Sequence, residues 1–223
     1  MILAIAAAIA AAQAPATACP DVVTPQAFVC RALQASKSGD SEAAAQAFEQ
    51  AAGAQTDEAE KARSWAAAGN MWIAANQPGK AALALDKALT GTGLQAEQRG
   101  EAQLDRARAA EAQNDLKMAR SKVTEAVRTI SDDPFLWYFS AALAIRENDP
   151  LTAKTAIGEA LTLEPNNPTV LFEAGHVYHF AGDLSAARDY WSRASSADPN
   201  GKSGQAAREA LAMLPAPATV TNR

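Results

Sequence analysis

The sequence predicts an all-α solenoid of about five helix-turn-helix repeats with a C-terminal capping helix. First, 57 of the 223 residues are Ala, the strongest helix former and a side chain small enough for close helix packing. Second, five segments repeat one order, a Gly or Asn turn followed by small residues spaced by four and then three. Third, the first Ala of these segments recurs at intervals of 37, 38, 34 and 34 residues. These features exclude a β-sandwich, a collagen-like chain and a disulfide-dense miniprotein.

The first 18 residues have the pattern of a secretory signal peptide. No Asp, Glu, Lys or Arg precedes Asp21, and the apolar run over residues 2–12 is too short for a bilayer span of about 20 residues. Small-residue cleavage sites end at Ala12 and Ala18. We expect export to the periplasm or secretion after cleavage, with residues 19–24 as a linker. The missing basic residue near Met1 leaves an alternative, an Ala-rich capping helix on a cytosolic protein.

Two cysteines, Cys19 and Cys30, lie at the start of the repeat region. Neither belongs to a C-x-x-C pair, so neither zinc binding nor thioredoxin-like chemistry is indicated. In an exported chain the two could form a disulfide. Residues 16–19, Ala-Thr-Ala-Cys, are also similar to the acylation signal of bacterial lipoproteins, which would anchor the chain at the outer membrane. A disulfide, an acylated Cys19 and two free thiols are therefore all open at this point.

In the second helix of every repeat, an Ala, a larger residue and another Ala lie on one face. We expect the alanines to admit the paired helix and the larger residue to fill the space toward the next pair. The sets are Ala44, Phe48 and Ala51; Ala81, Leu85 and Ala88; Ala119, Val123 and Ala126; Ala153, Ile157 and Ala160; and Ala187, Trp191 and Ala194. The preceding turns are Gly39-Asp40, Asn76-Gln77, Asn114-Asp115, Asn148-Asp149 and Gly182-Asp183. Each turn ends one helix and caps the next, and Pro165 and Pro199 stop the last two second helices.

This pattern resembles the tetratricopeptide repeat family, whose first helix carries W-x2-L-G-x2-Y. The second repeat supplies Trp65, Ala68, Gly69 and Trp72, and the fifth supplies Leu171, Ala174, Gly175 and Tyr178. The resemblance implies a right-handed α-solenoid with repeats over about 25–56, 62–93, 100–131, 134–165 and 168–199. A capping helix over 200–214 and a disordered tail over 215–223 would complete the chain.

The two longer intervals indicate three or four additional residues before the second and the third repeat. Residues 90–93, Thr-Gly-Thr-Gly, fit a flexible loop inserted at one of these points.

No motif in the sequence indicates catalysis. There is no nucleophile elbow, phosphate loop or H-E-x-x-H, so we expect no enzymatic activity and no cofactor. Glu173, His176 and His179 follow one another at intervals of three, a spacing that would allow a metal-dependent activity. The resemblance instead places both histidines on the concave face, where contact with a peptide or with solvent is the more usual role.

The resemblance implies a binding groove for a partner peptide or helical segment on the concave face. Aromatic and Arg side chains gather there in the later repeats, and these residue types dominate interface energies. An acidic group on the partner would suit Arg108 and Arg146, although the aromatics could instead pack under the capping helix. The candidate groove residues are Arg63, Asn70, Leu104, Arg108, Glu111, Phe135, Tyr138, Arg146, Phe172, His176 and His179.

The carboxylate clamp of chaperone-binding family members is not indicated. Asn70 matches one of its positions, but Ala66 stands where the clamp has Lys, and Leu104 replaces a polar group.

The net charge of −5 and the pI of about 5.1 argue against a broad nucleic-acid surface. We therefore expect a non-catalytic scaffold or adaptor that binds another protein. The alternative is a structural component of the envelope that self-associates or is anchored at the outer membrane through Cys19.

Overall fold

The computed structural model describes residues 19–215, so the predicted signal peptide and most of the predicted tail lie outside the described residues. Within residues 19–215 the chain forms eleven α-helices and no strand. They are α1 (Pro25–Lys37), α2 (Ser41–Ala54), α3 (Glu58–Ala74), α4 (Pro78–Thr90), α5 (Ala96–Ala112), α6 (Leu116–Ala126), α7 (Pro134–Arg146), α8 (Pro150–Leu163), α9 (Pro168–Phe180), α10 (Leu184–Ala197) and α11 (Lys202–Met213). Each odd-numbered helix up to α9 packs against the helix that follows it, and each pair packs against the next. The predicted solenoid of five helix pairs with a final capping helix is confirmed.

The turns within the five pairs share one backbone device, a residue with positive φ between 55° and 79°. These residues are Gly39, Asn76, Asn114, Asn148 and Gly182, the two residue types that adopt this conformation at least cost. The next residue donates its N–H back across the turn, as from Asp40 to the carbonyl of Ala35 at 3.0 Å. In four of the five turns this next residue is an Asp that caps the second helix, whereas Gln77 makes no side-chain cap.

The repeated alanines form a fully buried part of the core. All ten of the predicted Ala positions in the second helices are 0% exposed. Among the larger residues between them, Leu85, Val123, Ile157 and Trp191 are at most 3% exposed. Phe48 differs, because it is only partly buried and its outer edge is free to line a groove.

The longer sequence intervals are accommodated mainly by longer helices. Helices α3 and α5 have 17 residues each, whereas α1, α7 and α9 have 13. Their first residues, Glu58 and Ala96, precede the predicted repeat starts by four positions, which is about one helical turn. The cap residue Asp57 fixes the new start of α3, since its carboxylate accepts a hydrogen bond from the Glu60 N–H at 2.8 Å.

The segment between α4 and α5 is held against the protein, where the sequence predicted a flexible loop. The Arg99 guanidinium donates hydrogen bonds to the carbonyl of Leu89 at 2.9 Å and to that of Gly91. A Cβ added at Gly93 would lie 2.4 Å from the carbonyl oxygen of Glu58. Glycine is therefore required at this position because the loop backbone passes so close to the first turn of α3.

The last helix closes the apolar core at the C-terminal end. Ala207 of α11 is 0% exposed, and Leu214 just beyond it is 9% exposed. Both pack in one cluster with Trp191 of the fifth pair. Arg208 and Glu209 point to solvent, so α11 has the polar outer face that a terminal cap of a repeat array needs.

Candidate functional site

An open groove of about 590 Å³ runs along the first helices of the second, third and fourth repeats and is bounded by the first pair. We call it the central groove. Its lining is Leu33, Ser36, Phe48, Arg63, Ala66, Ala67, Asn70, Met71, Leu94, Gln98, Glu101, Ala102, Leu104, Asp105, Arg108, Asp133 and Phe135. Five candidates named from the sequence are among these: Arg63, Asn70, Leu104, Arg108 and Phe135. The structure therefore brings residues from three predicted repeats to one cavity.

The apolar part of the groove includes residues that the sequence did not single out as binding residues. Leu33 is 52% exposed, and Phe48 and Met71 are partly buried beside it in the wall. Leu104, by contrast, is only 4% exposed, so it belongs chiefly to the core and offers little surface to a partner. Leu33 was missed because candidate positions were taken only from the second to the fifth repeat, although the same position of the first repeat is Leu33. Phe48 was missed because it lies on a second helix.

A hydrogen-bonded network joins two repeats across the floor of the groove. The Asn70 amide donates to Asp105 Oδ2 at 2.7 Å, and the Arg108 guanidinium donates to Asp105 Oδ1 at 2.8 Å. The same guanidinium lies over the Phe135 ring, 5.3 Å from its centroid. Asn70 is thus engaged within the protein and not held ready as part of a carboxylate clamp. Asp105 was not predicted, although its spacing of three from Arg108 favours a helical ion pair.

The other two candidate arginines are also paired with carboxylates of the chain. Arg146 forms an ion pair with Glu111 and donates to the side-chain oxygen of Asn114 at 2.8 Å. Arg63 pairs with Glu60 at 2.5 Å. Glu111 borders a smaller cavity of about 210 Å³ next to the central groove. All three arginines therefore already have a carboxylate partner within the protein.

Two carboxylates of the central groove have no such partner. Among residues 19–215, no Lys or Arg forms an ion pair with Glu101 or Asp133. Partial burial raises the pKa of Glu101, and the nearby carboxylates of Glu97, Asp105 and Asp133 raise it further. Asp133 Oδ1 accepts the N–H of Phe135 at 2.8 Å and so caps α7. The groove wall on this side therefore carries two carboxylates without a Lys or Arg partner among the described residues.

Tyr138 lies between the central groove and the fifth repeat. Its ring forms a T-shaped pair with the Phe135 ring, with the centroids 5.0 Å apart. Burial raises the pKa of its hydroxyl, and the carboxylates of Glu173 and Asp133 raise it further. Tyr138 is thus a neutral hydroxyl in a negative environment, available as a hydrogen-bond donor to a bound chain.

The remaining three candidates gather in a separate cluster around Trp191. The centroid of the His176 ring is 4.5 Å from that of Phe172 and 5.3 Å from that of Trp191, and the His179 ring lies 5.6 Å from Trp191. Burial lowers the pKa of His176, and His179 lowers it further. Its edge-to-face contacts with two aromatic rings give His176 a packing role.

Within residues 19–215, no group of three His, Cys, Asp or Glu side chains is placed to hold a metal ion. The spacing of Glu173, His176 and His179 therefore does not produce a three-ligand site in the folded helix.

Cys19 and Cys30 form a disulfide, which joins the N-terminal arm to α1. The Arg31 guanidinium supports the same arm by donating to the carbonyls of Pro20 at 2.9 Å and Val22 at 3.2 Å. Over residues 19–215, every helix is too short or too polar to span a bilayer.

The comparisons with known proteins rest on three-dimensional structure. No protein-family model matches the sequence, and no curated protein is significantly similar to it. The structure is similar to PilW, a type IV pilus biogenesis factor, with a TM-score of 0.69, 17% identity and 83% of each chain covered. It is similar to PilF of Pseudomonas aeruginosa, with a TM-score of 0.68, 14% identity and coverage of 85% of this chain and 83% of PilF.

A third similar structure is YrrB, described as a TPR protein with an unusual peptide-binding site. Its TM-score is 0.62 at 16% identity, over 84% of this chain and 91% of YrrB. Identities this low bear on the fold alone. The fold of these similar structures agrees with three features of this chain: the spacing of its repeats, the positive-φ residues in its turns, and its five helix pairs packed through alanines. The chain therefore has the tetratricopeptide repeat fold.

Proposed function

We propose that the protein is a non-catalytic scaffold that holds a segment of another protein in the central groove. The observation that carries the proposal is the convergence of Arg63, Asn70, Arg108 and Phe135 on one open cavity. Apolar surface, aromatic edges and hydrogen-bonding groups occur together there, which is the composition of protein interfaces.

The rigidity of the groove supports the same function. The Asn70–Asp105–Arg108 network ties α3 to α5, and the Arg146–Glu111 pair ties α5 to α7. A preformed groove loses little conformational entropy when a partner binds, so more of the contact energy remains as affinity. The likeness to YrrB, described as having a peptide-binding site, is consistent with this use of the fold.

Export completes the proposal. Disulfides persist in oxidising compartments such as the periplasm, and the Cys19–Cys30 pair follows directly after the segment whose sequence predicts a signal peptide. Acylation of Cys19 would consume the same sulfur, so the disulfide and a lipid anchor exclude each other. The intact mass of the protein from its native envelope distinguishes the two, because an acylated chain is heavier by its acyl groups and the disulfide form is not.

The groove assignment is tested by affinity capture from native envelope extract. A Leu33→Ser/Phe135→Ala variant removes one exposed and one partly buried apolar side chain from the groove lining. A Leu83→Ser/Leu151→Ser variant removes two leucines that are 65% and 76% exposed and do not line the groove. We expect a partner that the wild type and the Leu83/Leu151 variant retain and that the groove variant loses. Equal capture by all three proteins would contradict the groove assignment.

The circular dichroism spectra of the three proteins must show the same helix content. Loss of the partner can then be assigned to the change in the groove and not to unfolding. If the only captured protein is a second copy of this chain, the result would favour the alternative function, in which the protein self-associates as an architectural component.

A further inference from the structure

We infer that the partner segment places a Lys or Arg side chain, flanked by apolar residues, in the central groove beside Glu101 and Asp133. The inference rests on the proposed function and adds the chemistry of the partner. It reverses the expectation that the groove arginines would attract an acidic group.

The first step is the charge balance of the groove lining. It contains three carboxylates, Glu101, Asp105 and Asp133, and two guanidinium groups, Arg63 and Arg108. Both guanidinium groups are paired, Arg108 with Asp105 at 2.8 Å and Arg63 with Glu60 at 2.5 Å. An acidic partner would compete with the carboxylates already bound to these arginines or approach the two remaining carboxylates.

The second step is the mutual repulsion of those carboxylates. The charges of Glu97, Asp105 and Asp133 all disfavour ionisation of Glu101. A cation placed among them would relieve this repulsion and gain Coulomb energy from several carboxylates at once. The negative surroundings of Tyr138, to which Asp133 and Glu173 contribute, extend the field toward the fifth repeat.

The third step is the shape of the cavity and the apolar surface beside the carboxylates. A Lys or Arg side chain has a long apolar stem and a charged end. Leu33, Phe48 and Met71 provide surface for the stem and for neighbouring apolar residues, while Glu101 and Asp133 lie in the same lining. The groove therefore fits a segment in which a basic residue lies among apolar residues. An acidic segment or a wholly polar segment would fit it less well.

The test uses a peptide array as the probe. Each peptide has a central Lys, Arg, Gln or Glu between apolar residues and randomised flanks, and binding of the full-length mature protein is measured at low and at high ionic strength. We expect the Lys and Arg peptides to bind about tenfold more tightly than the Gln and Glu peptides. High salt should reduce this preference, because screening weakens partly exposed charge pairs.

A Glu101→Gln/Asp133→Asn variant removes both charges and conserves shape, and Asn is as good a helix cap as Asp. The matched control is Glu159→Gln/Glu209→Gln, which removes the same charge from two exposed positions outside the groove. We expect the first variant to lose the preference for Lys and Arg and the control to keep it.

A groove that binds the Gln or Glu peptides as tightly as the Lys and Arg peptides would overturn the inference. So would a preference that survives in the Glu101/Asp133 variant. In either case, loss of peptide binding in the Leu33→Ser/Phe135→Ala variant would leave the proposed function standing. Failure of all the peptides to bind would also overturn the inference. If, in addition, the Leu33→Ser/Phe135→Ala variant still captures every partner of the wild type, the proposed function fails as well.

Discussion

The side chains of Asn70 and Asp105 meet at 2.7 Å across a repeat boundary, 35 residues apart in the sequence. Asp105 is 16% exposed, and its second oxygen binds Arg108. One carboxylate thus fixes both the distance between α3 and α5 and the orientation of a groove arginine. A similar link occurs one repeat later, where Arg146 of α7 pairs with Glu111 of α5, again 35 residues apart. Each of the two links joins successive first helices of the solenoid.

Replacement of Asp105 by Ala should destabilise the protein by about 1–3 kcal/mol, because Asn70 and Arg108 lose their partner in a partly buried site. Urea unfolding followed by circular dichroism measures the change. Glu58→Ala is the control, since its pair with Lys61 is exposed on both sides and such pairs contribute roughly 0–1 kcal/mol. Equal losses in the two variants would contradict a special role for the Asp105 network.

Gly175→Ala should destabilise the fifth pair, because the new Cβ would lie 2.2 Å from atoms of the Trp191 indole. Overpacking of this kind costs about 1–3 kcal/mol. Gly158→Ala provides the opposite case, since nothing lies within 4 Å of the added methyl group and Ala is favoured over Gly in a helix by about 1 kcal/mol. Thermal unfolding should show a lower Tm for the first variant and an equal or higher Tm for the second. An unchanged Tm for Gly175→Ala would mean that Trp191 can move aside.

Arg120→Met should lower stability by about 1–3 kcal/mol. The Arg120 guanidinium donates to Ser140 Oγ at 2.8 Å and to Glu147 Oε2 at 2.6 Å, and Ser140 is only 4% exposed. The variant leaves a buried hydroxyl and a carboxylate unpaired between α6 and α7. The same substitution at Lys117, an exposed residue of α6, should change the unfolding free energy by no more than about 0.5 kcal/mol. A loss at Lys117 as large as that at Arg120 would show that helix composition and not the network is responsible.

Glu173→Gln should stabilise the protein at about pH 7 and have no effect at about pH 3. Burial raises the pKa of Glu173 above its ordinary value of 4.5. The folded state therefore holds the proton more tightly than the unfolded state, so stability is full below the ordinary pKa and is lost as the pH rises through the raised pKa. The amide carries no charge and does not incur this loss. The Tm of both proteins is measured across this range, with Glu159→Gln as an exposed control.

A Tm difference between Glu173→Gln and the wild type that does not vary with pH would contradict burial of the charge as its cause. Because the prediction concerns this difference, the titration of His176 on the same helix largely cancels.

Cys19→Ser/Cys30→Ser should loosen the arm and α1. In the chain-entropy account, a disulfide that closes a loop over a sequence separation of 11 contributes roughly 3 kcal/mol to the structure it closes. Hydrogen exchange should accelerate in residues 20–37 and change little in the last two repeats, because each repeat of a solenoid contacts only its neighbours. Wild-type protein treated with reductant should behave in the same way. Unaltered exchange in both samples would show that the Arg31 contacts alone hold the arm.

Part of the architecture follows from local features of the sequence, namely the turn residues and the spacing of the alanines. The positive-φ positions of the five turns coincide with Gly39, Asn76, Asn114, Asn148 and Gly182 because few other residues adopt that backbone conformation cheaply. The predicted alanines are buried because a spacing of four and three defines one face of a helix. The added turns of α3 and α5 were missed, since a sequence interval gives the number of residues but not their conformation.

The sequence by itself determined the fold class, the repeat number, the turns and the alanine core, because all of these depend on residues close together in the chain. Only the tertiary structure decided which polar groups are already satisfied. Arg108 and Arg146 looked available for an acidic partner until Asp105 and Glu111 were found beside them. Glu101 and Asp133, which no motif marks, are the carboxylates without an ion-pair partner in the described part of the groove. Charge balance in a groove depends on side chains from different repeats, and their distances are set by how the helix pairs stack.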